Sequence, residues 1–224
     1  MKAIHLSILF MAMLFIENSA AGQSINWANF PKEKRHIVNI NLGLDNGVVF
    51  GAAYGYSLKT KIPFILCAEY SFPSGKTLLD DYKTKVGGQV RIFQKGKIQM
   101  STKVYGIFRR YENSLVRLMN FGSDVSGVVG YYKPRWFIAG EFGFDKAIVT
   151  NFKHSETYKD IFPGVKDGWY EPATGGNFNY GLQGGFSFKR NDIFLKAGRL
   201  ITQDFKTKPF VPFYFQLGYN YKFR

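Results

Sequence analysis

Few residues of this 224-residue chain are equipped for acid–base or nucleophilic chemistry. The histidines are His5, His36 and His154, and the single cysteine is Cys67. His154 has the richest surroundings, with Ser155, Glu156 and Asp160 close by. A histidine that takes a serine proton and is oriented by a carboxylate is the working unit of acyl-transfer hydrolases. On a strand, however, adjacent residues point to opposite faces, so His154 and Ser155 would not meet. In a loop that objection weakens, and a solvated loop histidine is the default. There is no P-loop, no His/Cys metal cluster and no Ca²⁺ loop pattern, so no cofactor or metal is expected.

A second set of residues could act through charge. Lys83, Lys85, Arg91, Lys103, Arg109 and Lys196 occupy alternate positions within apolar stretches, and so do Glu69, Asp124, Glu141 and Asp145. Charges repeated at period two on strands share one face, and if that face lines a narrow lumen they must be paired. The expectation is an ion-pair network filling the lumen. Surplus lysine and arginine would otherwise make a narrow conduit that prefers anions.

The elements that position these residues are strands. The end of the chain is the clearest: Val211, Phe213, Phe215, Leu217, Tyr219, Tyr221 and Phe223 alternate with Pro212, Tyr214, Gln216, Gly218, Asn220 and Lys222. Nine further alternating segments precede it, at about 37–44, 48–58, 62–72, 82–93, 98–110, within 115–132, at 136–149, 178–188 and 193–205. Arg199 interrupts the apolar face of the ninth, and the sixth is the least regular. Connections after the even-numbered segments are short and basic: Lys59-Thr60-Lys61, Lys95-Gly96-Lys97, Lys133-Pro134-Arg135 and Lys189-Arg190-Asn191-Asp192. Most odd connections are longer, that at 150–176 by far the longest; Asp45-Asn46-Gly47 is a tight hairpin.

Strands of about ten residues, aromatics at strand ends and alternating loop lengths predict an all-β, antiparallel up-and-down transmembrane β-barrel of ten strands, eight being the alternative. A soluble sandwich would leave two long edges that closure removes. Residues 1–22 have the layout of a cleaved secretory signal: Met1-Lys2, an apolar run to Ile16, then Ser19-Ala20-Ala21-Gly22, with cleavage after Ala21 or Gly22. Residues 23–35 then form a short periplasmic segment and 36–224 the barrel. The net charge of +14 comes without a clustered basic stripe or nucleic-acid module, so nucleic acid is not an expected partner. Lone Cys67 leaves no intrachain disulfide.

The signal end at Ser19–Gln23, the alternating strands and the terminal Tyr221-Lys222-Phe223-Arg224 resemble the small, porin-like outer-membrane β-barrel proteins common in Bacteroidetes-type bacteria. The resemblance implies the outer membrane of a Gram-negative bacterium, contact with lipid and lipopolysaccharide, and reading of the last strand by the barrel-assembly machinery. Phe223 is penultimate rather than last, a small departure. Small barrels include enzymes. The omptin proteases carry an Asp-x-His element and barrel lipid A deacylases a His-x-Ser spacing, and neither pattern occurs at His36 or His154, the histidines beyond the expected signal.

The leading expectation is a non-catalytic binding or scaffold barrel, or an accessory subunit of an outer-membrane complex. A narrow anion-preferring solute channel is the alternative, and a lipid A-modifying or proteolytic enzyme the second. In the 150–176 loop, Phe152, His154, Tyr158, Phe162, Trp169 and Tyr170 are expected to form a lid or a partner surface. Outward Arg110, Arg117, Lys206 and Lys208 could meet lipopolysaccharide phosphates.

Overall fold

The structure is a computed structural model that describes residues 22–30, 33–44, 47–74, 80–172, 175–207, 209 and 211–224. Ten antiparallel strands close into a barrel: β1 (His36–Leu44), β2 (Val48–Ser57), β3 (Phe64–Pro73), β4 (Asp81–Lys95), β5 (Ile98–Glu112), β6 (Val116–Tyr132), β7 (Trp136–His154), β9 (Gly176–Phe188), β10 (Asn191–Thr202) and β11 (Phe213–Phe223). Each pairs with its neighbour in sequence, β1 pairs with β11, and β7 pairs with β9, leaving no edge over the barrel's height. The short strand β8 (Gly168–Tyr170) pairs with β7 above the point where β9 begins. The eight-strand alternative is therefore set aside: the sixth and ninth predicted segments are the continuous strands β6 and β10.

Closure follows from the alternation. Every unpaired strand edge in hydrocarbon would leave N–H and C=O groups without partners, so a lipid-facing sheet must close. The outward residues are apolar and exposed, among them Ile40, Leu42, Val86, Val104, Val125, Ile138, Leu182, Leu195 and Leu217. Arg199 stands on that outer face, paired across to Tyr180 and Phe213.

Aromatic rings band the wall at two heights. One band steps from strand to strand through Phe50–Phe72, Tyr70–Tyr82, Tyr82–Phe108, Phe108–Phe121 and Phe121–Trp169, with centroids 5.1–6.0 Å apart. At the short-turn end, His36 lies against Tyr54, Tyr56 and Phe223, and Tyr131 packs on Trp136. Lys133 Nζ sits over the Trp136 ring at 5.2 Å. Rings that are apolar in body and polar at the tip belong at the two faces of a bilayer. No helix among the described residues is long and apolar enough to cross a membrane.

Two boundaries differ from the sequence reading. β7 runs on to His154, so the expected loop from 150 begins later. It also folds into a short helix, α1 (Glu156–Ile161), and β8. Residues 23–30 are not a periplasmic tail, because the part from Gln23 to Trp27 lies buried inside the barrel. Residues 1–21 of the expected signal, Asp45-Asn46, 75–79 and Lys208 lie outside the described residues.

Candidate functional site

The lumen holds the chemistry, in layers that the strand pleat sets out. At the short-turn end, Trp27–Asn29 forms one turn of 3₁₀ helix, started by Asn26, whose side chain accepts from the Ala28 N–H at 3.1 Å. Ile25 and Trp27 pack with inward Ile37, Ile65, Tyr132, Phe137 and Phe194 into an apolar core. Phe194 finds its room opposite Gly218, where any Cβ would overlap its ring. Apolar inward residues at this level escape the alternation signal because the lumen was expected to be polar throughout.

Above that core the segment is bound by hydrogen bonds. Asn26 donates to Ser187 Oγ and to the Lys133 carbonyl, both at 2.9 Å. Ser24 donates to Gln183 at 2.5 Å, and Asn220 donates to the Ser24 carbonyl at 2.7 Å. Gln89 donates to the Gln23 carbonyl at 3.1 Å. Gln23 Oε1 accepts from Cys67 Sγ at 3.8 Å. A Cβ on Gly55 would sit 3.1 Å from that same oxygen, so the wall there is cut back to admit the segment.

The ion-pair layer comes next, and the structure brings the predicted charges together. Lys85 pairs with Asp124 at 2.6 Å; Glu141 takes Lys103 at 2.9 Å on one oxygen and Lys196 at 3.2 Å on the other. Gln183 also donates to Glu141 at 2.9 Å. Asp145 and Glu69 are buried in the same layer. Glu69 Oε1 accepts the Gln23 N–H at 3.2 Å, while Oε2 has no hydrogen-bond partner among the described residues. Both side-chain atoms of inward Gln216 likewise lack one.

Three of the predicted charges lie nearer the mouths. Arg109 forms a forked pair with Asp81 at 2.8–3.1 Å, with inward Lys83 beside it in the register. Arg91 donates to Gln99 at 3.2 Å towards the short-turn end. The sequence reading missed the buried pair Lys222–Asp192 at 2.8 Å. Both residues obey the inward parity, so that signal was present.

The expected lid or partner residues do not form one surface. Phe152 is buried with Val116 and Leu118, a second small core where β6 and β7 rise above the barrel. His154 stacks on Tyr158, which packs on Phe162. Trp169, on β8, joins the outer aromatic band beside Phe121, and Tyr170 meets Phe152 edge-on. His154 Nδ1 lies 2.9 Å from Asp167, and Ser155 Oγ accepts from the Tyr158 N–H as the cap of α1. Asp167 also accepts from the His154 N–H and pairs with Lys159 at 3.0 Å. These contacts hold its carboxyl well below the usual carboxylate range and raise the Lys159 ammonium. Arg110 pairs with Glu112 on the outer face.

The fold and its two aromatic bands define a closed, ten-stranded transmembrane β-barrel of the small outer-membrane type. No family model matches the chain, and no curated protein matches it. Among solved structures it is similar to a KdgM porin and to a KdgM porin in complex with disordered oligogalacturonate. In each case the identity is 9%, the TM-score 0.41, and the match covers 84% of this chain and 99% of the other.

Proposed function

We propose that this protein is a narrow, anion-preferring solute conduit of the outer membrane, closed in the present conformation by its own residues 23–30. The observation that carries this reading is how the lumen is filled. Its lower half is occupied by a separate segment bound by hydrogen bonds and apolar packing. A wall that needed filling for stability alone would do so with its own large side chains, as eight-stranded barrels do. Here it carries Gly55, Ala53 and Cys67 inward beside the segment. The basic short turns, with Lys59, Lys61, Lys95, Lys97, Lys133, Arg135, Lys189 and Arg190, would concentrate anions at that mouth.

A second reading is a non-conducting anchor or accessory subunit. The ion-pair layer favours it, since Lys85 is paired with Asp124 and Lys103 and Lys196 share Glu141. The α1–β8 excursion would then face a partner, and the outer basic residues lipopolysaccharide.

Single-channel recording in planar bilayers separates the two. The full-length barrel is expected to open rarely, and deletion of residues 23–30 to give a steady conductance with chloride favoured over potassium. A deletion variant that folds, judged by heat-modifiable migration, yet stays silent would overturn the conduit and leave the anchor.

A further inference from the structure

We infer that export processing cuts between Gly22 and Gln23, and that the α-ammonium so formed is held inside the barrel by Glu69. The inference needs only the segment in the lumen and does not depend on conduction.

The chain enters from the short-turn end at Phe30 and climbs. Asn26 touches the 133–135 turn, Ser24 touches Gln183, and Gln23 reaches Cys67, Gln89 and Glu69. The Gln23 nitrogen thus lies at the base of the ion-pair layer.

The surroundings choose between the two cleavage positions. Gly22 lies against Lys196, with a Cβ on it 3.3 Å from Nζ. An ammonium there would add a third cation to the Lys103–Glu141–Lys196 cluster. An ammonium at Gln23 instead sits 3.2 Å from the Glu69 carboxylate, which has one oxygen still unpartnered among the described residues. In the cut, water adds across the Gly22–Gln23 amide: the Gly22 carbonyl leaves as a carboxylate and the Gln23 nitrogen becomes the ammonium.

The test is amine labelling by reductive dimethylation of protein purified from native outer membranes, read on the N-terminal peptide by mass spectrometry. The expected result is a free amine on Gln23 that is unlabelled in the folded barrel and labelled after heat unfolding. Glu69→Gln should raise labelling in the folded state by roughly tenfold or more, the loss of one charge-assisted bond. A terminus at Gly22 or elsewhere, a cyclised Gln23 without an ammonium, or rapid labelling of the folded wild type would each overturn the inference. The wild-type comparison decides even if the Glu69 variant does not fold.

Discussion

Glu141 is the most heavily used carboxylate of the lumen, and Glu141→Gln is the sharpest probe of the ion-pair layer. It holds Lys103 at 2.9 Å and Lys196 at 3.2 Å, with side chains only 10%, 5% and 6% exposed respectively. Glutamine keeps the volume but loses the charge. Its carbonyl can accept from one ammonium, while its NH₂ group then faces the other, donor against donor. Breaking a buried pair costs about 3–5 kcal/mol because the remaining charge is uncompensated. One accepted bond survives, so the lower end applies: about 3 kcal/mol, or roughly a hundredfold in the unfolding equilibrium. Urea titration in lipid vesicles, followed by tryptophan fluorescence, measures it. Glu141→Gln combined with Lys196→Met removes one stranded cation and should recover about 1–2 kcal/mol. The exposed pair Arg224–Glu33, at 80% and 75% exposure, supplies the control: Glu33→Gln should change nothing measurable. A loss below about 1 kcal/mol for Glu141→Gln would mean that water reaches the cluster freely, and the closed-lumen reasoning would fail.

Three further outcomes follow from the same structure. In single-tryptophan variants reconstituted in vesicles, a quencher carried on the lipid should dim Trp136 and Trp169 but spare Trp27; strong quenching of Trp27 would place it outside the lumen. Gly218→Val drives a branched side chain into the Phe194 ring and should destabilise the barrel by about 1–3 kcal/mol, measured by the same urea titration. The third concerns pH. The folded pKa of Asp167 lies below its ordinary value of about 4, so its contribution is complete above that value and is lost as pH falls through the folded one. Limited proteolysis at 156–167 should therefore be unchanged from about pH 8 to 5 and speed up only in stronger acid, an effect that Asp167→Asn would produce at every pH.

Much of the wall was legible in the sequence, and specific residues show why. Val38, Ile40 and Leu42 against Asn39 and Asn41 in β1, or Phe213, Phe215 and Leu217 against Gln216 in β11, carry their facing in a period of two. That period is local, so no distant contact is needed to read it. It also placed Glu69, Lys85, Lys103, Asp124, Glu141, Asp145 and Lys196 inside the barrel, because a charge at an inward position of a lipid-facing strand has nowhere else to go. The uninterrupted β10 was harder to see: its outward Arg199 falls on the apolar face and breaks the pattern.

Who pairs with whom belonged to the tertiary structure alone. Lys103 and Glu141 are 38 residues apart and Lys85 and Asp124 are 39 apart, meeting only through the register of β4 to β7. The fate of residues 23–30 was further out of reach. They have no periodicity, and they read as a polar linker behind a signal. Their partners stand 44 to 197 residues away, on β3, β4, β9 and β11, and come together only when β1 closes on β11. A strand's facing is written in its neighbours along the chain, whereas the occupant of a lumen is chosen by residues that closure alone brings around it.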